Sequence, residues 1–269
     1  DHLQFQIPMR YASILGLLIL WSCQEVIHVD LNSAAPLTVI EGRVEEGRSC
    51  TVFITKTTDF FNPQLPVGVQ GATVVLSDDA GHSESLSPFA SGIYQSVGMV
   101  GVSGRTYTLN VVTEGKQFTA SSKLTEPVQL DSVYFLPQNP LNLARGYIAY
   151  SRFTDPSVTG NYYYFTLSND TTRIDARRYI TFSDRLNNGE AITFRTGGHR
   201  FQPGETVIVR MYSIDKGVYD YLNTLERTVS TGGGGAQQAS PGNPVSNFTS
   251  GALGYFGAYS YTERTAVVP

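Results

Sequence analysis

Short segments in which apolar and polar residues alternate run through most of the chain and predict β-strands. These segments are rich in β-branched and aromatic residues and recur at roughly ten-residue intervals, with glycine and aspartate turns between them. The strand-like segments are residues 37–44, 50–55, 72–77, 82–87, 92–95, 106–112, 116–121, 128–135, 146–153, 161–167, 178–182, 191–194, 206–212 and 264–268. Short strands with this spacing are typical of antiparallel sandwiches.

One helix interrupts this pattern in the second half. Apolar residues recur at helical spacing from Ile214 to Leu225, and Ser213 or Asp215 is available as the N-cap, which predicts a short helix near 214–230. Residues 232–244 are rich in glycine, glutamine and proline, and we expect them to form a mobile loop. Pro127 follows the last strand of the first half and marks a module boundary. The predicted fold class is therefore all-β, with two antiparallel β-sandwich-like modules, residues 37–126 and 127–269, and one short helix in the second.

The N-terminal region has the pattern of an export signal. Arg10 precedes an apolar run over residues 11–21, which Ser22 and Cys23 follow. The run is shorter than the ~20 residues of a transmembrane helix and fits the ~7–15 residues of a signal-peptide core. We predict a signal peptide over residues 1–22, with translation starting at Met9, and a lipid anchor and tether over 23–36. The alternative is an ordinary secretory signal followed by an incidental cysteine.

Net charge and cysteine content limit the classes of partner and the covalent links that we expect. The net charge is −4 without a basic block, so neither nucleic acid nor an anionic lipid surface is an expected electrostatic partner. The chain has two cysteines. If Cys23 carries a lipid thioether it forms no disulfide, and Cys50, in a strand-like setting, is predicted to be a buried core residue.

Patterns that signal catalysis or metal binding are weak. Ser213 and Lys216 have the Ser-x-x-Lys spacing of penicillin-binding enzymes, but the partner motifs are lacking, and N-capping explains the serine better. The histidines have no ligand spacing, and the acids Asp78 and Asp79 are typical of a hairpin turn. We therefore expect no enzyme activity, no catalytic residue, no metal and no cofactor.

Aromatic residues give the strongest binding signal. The chain has 16 tyrosines and 14 phenylalanines. In the segment 162–165 a strand directs Tyr162 and Tyr164 to one face and the next two aromatics to the other. We expect one of these faces to be core, while the other is either core or a partner surface, because tyrosine is enriched at interfaces.

A candidate partner surface lies in the second module. It comprises Tyr219 and Tyr221 on the helix, Tyr255 and Phe256 near the closing strand, and the loop 232–244, which we expect to lie together at one end of the module. The alternative is that Tyr255 and Phe256 are core residues that hold the closing strand.

The order of motifs resembles an uncharacterised lipoprotein family of the Bacteroidota, catalogued as domain of unknown function 4249. The matching motifs are residues 22–23 (SC), 25–26 (EV), 29–32 (VDLN), 37–42 (LTVIEG), 69–74 (VQGATV), 92–95 (GIYQ), 104–109 (GRTYTL), 160–163 (GNYY), 215–221 (DKGVYDY), 243–244 (NP) and 251–256 (GALGYF). The first half also resembles a prealbumin-like sandwich that certain transporters carry as an extension.

The resemblance implies a cellular location and a set of partners, but no reaction mechanism. Members of this family look like outer-membrane lipoproteins and often accompany TonB-dependent transporters. The family has no assigned catalytic residues. The expected function is a non-catalytic accessory or docking subunit of an outer-membrane TonB-dependent nutrient transport system, anchored in the lipid bilayer through Cys23. The alternative is a carbohydrate- or peptide-binding surface lipoprotein that acts alone. The side of the membrane that it faces stays open.

Overall fold

Three β-sheets and one helix make up the described part of the chain in this computed structural model. The structure describes residues 35–58, 65–139, 141, 146–169, 173–174, 179–231 and 242–269. The predicted signal peptide, Cys23 and most of the tether lie outside the described residues, as do residues 232–241 of the predicted loop.

The all-β prediction is confirmed, and most strands match the predicted segments, but the closing strand, which was predicted over 264–268, is much longer and begins at Leu253. They are β1 (Thr38–Glu45), β2 (Ser49–Lys56), β3 (Thr73–Asp78), β4 (Ser83–Ser85), β5 (Ser87–Ala90), β6 (Ile93–Val100), β7 (Thr106–Thr113), β8 (Lys116–Lys123), β9 (Leu130–Pro137), β10 (Tyr147–Thr154), β11 (Tyr162–Ser168), β12 (Arg173–Ile174), β13 (Ile180–Ser183), β14 (Ala191–Arg195), β15 (Thr206–Ile214) and β16 (Leu253–Val267). The helix α1 covers Lys216–Thr231, in agreement with the predicted range, and one turn of 3-10 helix covers Thr249–Gly251.

The largest sheet has nine strands and draws on both halves of the chain. Its order is β12-β11-β15-β16-β1-β2-β6-β5, and β13 also pairs with β11. The long strand β16 joins the two halves, because it runs parallel to β1 from the first half and antiparallel to β15 from the second. The other two sheets have the orders β4-β3-β7-β8 and β14-β10-β9.

The smaller sheets cover one face of the nine-stranded sheet. The sheet β4-β3-β7-β8 packs over β1, β2 and β6, and their shared cluster includes Ile40, Leu76 and Leu109. The sheet β14-β10-β9 packs over β11 and β15, where Phe153 and Phe165 are fully buried. Each such side chain contributes about 1.5–3 kcal/mol when it is fully buried. These two clusters are the hydrophobic cores of the fold.

The helix α1 lies on the opposite face of the large sheet. Strand alternation divides the aromatic segment of β11, since Tyr163 and Phe165 belong to the core while Tyr162 and Tyr164 pack with the helix. The sequence prediction that one face of this segment is core is confirmed. A third cluster, between α1 and the sheet, is built around Val218 and Leu222.

The predicted modules 37–126 and 127–269 share this framework. Residues 36–269 form one compact unit, and Phe256 and Ala258 of the second module pack into the core of the first. The sequence pattern did not anticipate this sharing, since it depends on the pairing of β1 with β16. Whether the modules are separate domains divided near residue 127 stays a prediction.

Candidate functional site

A cavity of about 200 Å³ lies between α1 and the large sheet. Six of the eleven residues that line it are tyrosines, and two charged residues of β1 lie among them. The lining residues are Glu41, Arg43, Tyr164, Thr166, Tyr179, Tyr212, Tyr221, Leu222, Leu225, Tyr255 and Tyr259. We refer to this site as the tyrosine cavity.

Strand alternation explains why so many tyrosines meet there. In β16, Phe256 and Ala258 face the first core, so Tyr255 and Tyr259 face the helix. Gly257 stands between these two tyrosines, and a Cβ at this position would lie 2.5 Å from the Tyr259 hydroxyl oxygen. A glycine is therefore needed for the Tyr259 ring to occupy its position.

The start of α1 is fixed by an N-cap. The carboxylate of Asp215 accepts a hydrogen bond from the amide of Val218 (2.9 Å), which satisfies a donor of the first helical turn. Its other oxygen accepts one from the amide of Lys123 at the end of β8 (3.0 Å). This double contact ties the helix to the first half of the fold. Of the two N-cap residues that the sequence allowed, the structure uses Asp215.

The rings of the cavity form two linked stacks. Tyr221 of α1 stacks on Tyr255 with ring centroids 4.5 Å apart. Tyr164 stacks on Tyr212 with centroids 5.6 Å apart, and Tyr212 meets the edge of Tyr259 at 6.0 Å. Aromatic pairs in these geometries add about 0.5–1.5 kcal/mol beyond the area they bury. The rings are thus held in place by each other and by the helix.

Three tyrosine hydroxyls of the cavity, those of Tyr221, Tyr255 and Tyr259, remain neutral at physiological pH. Burial raises the pKa of Tyr221, Tyr255 and Tyr259, and it also raises the pKa of the Glu41 carboxyl. The hydroxyls of Tyr255 and Tyr259 are hydrogen bonded to each other. Neutral hydroxyls both donate and accept hydrogen bonds, so the site offers both functions beside aromatic surface.

The two charged residues differ in their pairing. Arg43 contacts Glu45, with 3.3 Å between Nε and Oε1, and Glu45 is also paired with Arg48 at 3.5 Å. Glu41 forms no ion pair with any described residue. The two charged residues of the lining, Glu41 and Arg43, carry opposite charges that sum to zero.

The structure brings together two of the four residues predicted as a partner surface. Tyr221 and Tyr255 are in contact inside the cavity. Tyr219 lies on another side of α1, where it packs on Tyr162 with centroids 4.8 Å apart and borders a separate polar groove. Phe256 is fully buried in the first core, so for this residue the structure shows the alternative role of a core residue that holds the closing strand, and Phe256 belongs to no surface.

Other chemical candidates from the sequence have structural roles. The Ser213 hydroxyl accepts a hydrogen bond from the amide of Val128 (3.2 Å), whereas Lys216 pairs with Asp220. Cys50 is fully buried, as predicted. Burial, reinforced by the negative charge of Glu84, raises the pKa of the Cys50 thiol to about 12.

The predicted hairpin turn at residues 78–81 is also present. Asp78 accepts hydrogen bonds from the amide of His82 (2.8 Å), from its ring Nδ1, and from Arg105 (2.6 Å). Burial opposes ionisation of Asp78, but these hydrogen bonds outweigh it and hold its pKa below the usual range. Over the described residues no group of three or more His, Cys, Asp or Glu is placed to hold a metal ion. None of the described helices has the length and apolar character needed to span a membrane.

Sequence reasoning missed much of the tyrosine cavity. It did not find the charged residues Glu41 and Arg43 of β1, nor the tyrosines Tyr179 and Tyr212. The alternation in residues 40–44, in which Ile40, Gly42 and Val44 are separated by Glu41 and Arg43, did signal that β1 has one polar face. No pattern signalled that this face lies beside Tyr255, because that proximity depends on the long-range pairing of β1 with β16.

Comparison with known proteins identifies a family. Two solved structures described as cytokine receptor complexes give TM-scores of 0.26 and 0.27, with 10% and 12% sequence identity. The first likeness covers 85% of this chain and 95% of that chain, and the second covers 66% and 92%. Both scores are too low to indicate a shared fold. No curated protein matches the chain.

The model of the domain of unknown function DUF4249 matches residues 24–265. The chain therefore belongs to the DUF4249 family.

Proposed function

We propose that this protein is a non-catalytic binding protein, held at the outer membrane by a lipid on Cys23, that serves as an accessory subunit of a TonB-dependent nutrient transport system. The observation that carries the binding role is the lining of the tyrosine cavity. Its described residues include one carboxylate, Glu41, and no histidine, lysine or cysteine. The only other charged group, Arg43, does not deprotonate in proteins. Aromatic surface with a few polar groups is typical of binding sites.

The lipid anchor is supported by the two cysteines of the chain. Cys23 follows the apolar segment of the predicted signal peptide, whereas Cys50 is fully buried and its thiol is protonated. The buried residue is therefore no acceptor for a lipid in the folded protein. Several acyl chains anchor a protein stably, while a single chain binds only marginally.

The anchor is tested by a matched pair of substitutions. Cys23→Ala is expected to abolish metabolic labelling with palmitate and to release the processed protein from membranes. Cys50→Ala removes the other thiol and is expected to leave both labelling and membrane retention unchanged. A processed Cys23→Ala protein that stays in the membrane fraction would contradict the lipoprotein assignment.

The transporter role rests on the family resemblance and is tested by association. The tagged full chain, extracted from membranes in mild detergent, is expected to co-purify with a TonB-dependent receptor encoded by a neighbouring gene. The control is a strain in which that receptor gene is deleted. No other membrane protein should co-purify with the tagged chain from this strain. Consistent absence of a receptor, both from the eluate and from the gene neighbourhood, would contradict the accessory role.

The tyrosine cavity favours one alternative, a carbohydrate- or peptide-binding lipoprotein that acts alone. The cavity's aromatic lining with a few polar groups suits a small ligand whether or not the protein also has a transporter partner. An array of glycans and peptides probed with the full chain distinguishes the two functions. Ligand binding without any receptor partner favours the protein that acts alone, whereas receptor binding without any ligand favours the docking subunit.

A further inference from the structure

The tyrosine cavity combines three properties that together restrict its ligand. Its walls are aromatic, the hydroxyls of Tyr221, Tyr255 and Tyr259 are neutral, and the charges of its two ionic residues are opposite. Glu41 supplies an acceptor that no described cation pairs with, and Arg43 supplies donors beyond its contact with Glu45. A ligand that satisfies this lining needs an apolar face together with hydroxyl groups that both donate and accept.

We propose that the tyrosine cavity binds one ring of a neutral saccharide, with tyrosine rings against the apolar face of the sugar and with Glu41, Arg43 and Tyr221 bonded to its hydroxyls. This inference rests on the proposed binding function and adds the class of ligand to it. A saccharide ring has carbon-bound hydrogens on its faces and hydroxyls around its rim, which matches a lining of aromatic walls and polar groups.

Size and charge disfavour other ligands. The volume of about 200 Å³ lies below the ~300–1,000 Å³ of sites for drug-sized molecules, so it suits a single ring-sized unit. An organic cation is attracted by tyrosine faces and by Glu41, but the guanidinium of Arg43 in the same lining repels it. An anionic ligand is attracted by Arg43 but repelled by the carboxylate of Glu41. A neutral ligand avoids both penalties.

Calorimetric titration of the full chain in detergent tests the proposal. The probes are neutral gluco-, manno-, galacto- and xylo-oligosaccharides, a galacturonate oligomer as anion, tetramethylammonium as small cation and a lysine tetrapeptide. Tyr221→Phe keeps the stacked ring and removes one hydroxyl, so it is expected to weaken saccharide binding about fivefold. Glu41→Gln removes a charged acceptor and is expected to weaken it tenfold or more.

The matched control is Tyr219→Phe, which makes the same chemical change on the same helix but outside the cavity. The proposal requires that a neutral oligosaccharide binds and that the control variant keeps its affinity. It is overturned if binding is unaffected by the Tyr221 and Glu41 variants, or if tetramethylammonium, the anion or the peptide binds and no neutral saccharide does. Absence of any binding also overturns it, whereas the accessory role is decided separately by receptor co-purification.

Discussion

Replacing Phe256 with alanine tests where the structure places the closing strand. The Phe256 ring is fully buried in the first core, and it lies over Gly42 of β1, the residue that pairs with it in the parallel register. A Cβ at Gly42 would be 2.8 Å from Phe256 Cδ2 and 2.9 Å from Leu109 Cδ2. The glycine therefore provides the space that the ring fills.

The magnitudes follow from this geometry. Phe256→Ala removes a buried ring and is expected to lower the free energy of unfolding by about 3–5 kcal/mol. Gly42→Ala forces a methyl group against that ring, at a cost of about 1–3 kcal/mol, less the ~0.5–1 kcal/mol gained from a less flexible unfolded chain. In the double variant the methyl enters the space that the ring has left. We expect its loss of stability to be about 1–2 kcal/mol smaller than the sum of the single losses.

Urea denaturation of the wild type, the two single variants and the double variant measures this coupling. The midpoints can be compared if the m-value is the same in all four proteins. Tyr255→Ala is the matched control, because the neighbouring residue faces the opposite side of β16 and should be additive with Gly42→Ala within about 0.5 kcal/mol. A Phe256→Ala loss below about 1 kcal/mol would refute the buried placement. Additivity of Gly42→Ala and Phe256→Ala would refute the contact between β1 and β16.

Three further predictions concern single positions. Gly257→Ala places a methyl group against Tyr259 and is expected to destabilise the protein by about 1–3 kcal/mol in urea denaturation, whereas Gly198→Ala, with open space around its Cβ, should be nearly neutral. The Cys50 thiol, with its pKa raised to about 12, should resist iodoacetamide at pH 8 until the chain is denatured, as peptide mass spectrometry will measure; equal labelling of the folded chain would contradict its burial. Asp78→Asn should lose roughly 1.5–3 kcal/mol at pH 7. Because the folded-state pKa of Asp78 is lowered, its stabilisation is present above about pH 4 and is lost as the pH falls through that lowered pKa, so the difference between wild type and variant should shrink at low pH. A difference independent of pH would contradict this role.

Local elements were predictable because their signals are local. The helix followed from apolar residues at helical spacing, and α1 begins within two residues of the predicted start. The hairpin of β7 and β8 followed from a glycine turn between two β-branched segments, and Gly115 there has a positive φ of 70°. In each case the residues that determine the structure are neighbours in the chain.

The tyrosine cavity was not predictable because it depends on contacts between distant segments. Glu41 and Tyr255 are paired in the parallel register of β1 and β16, although more than two hundred residues separate them. A period-2 pattern tells which residues share a face of a strand but not which strand lies beside it. The period-2 pattern also carries information that separates Tyr255 from Phe256. Adjacent residues of a strand face opposite sides of the sheet, so these two side chains cannot lie on the same surface.

If the tyrosine cavity is the binding site of this protein, a bound ligand must change the NMR ring signals of the tyrosines that line it. The full chain, labelled with ¹³C-tyrosine and held in detergent, is titrated with neutral oligosaccharides and followed by NMR. We expect the shifted signals to belong to the cavity, with Tyr212, Tyr221 and Tyr255 among them, while the stacked pair Tyr134 and Tyr150 of β9 and β10 stays unchanged. Shifts at Tyr134 and Tyr150 without shifts in the cavity, or no shift at any tyrosine, would contradict it.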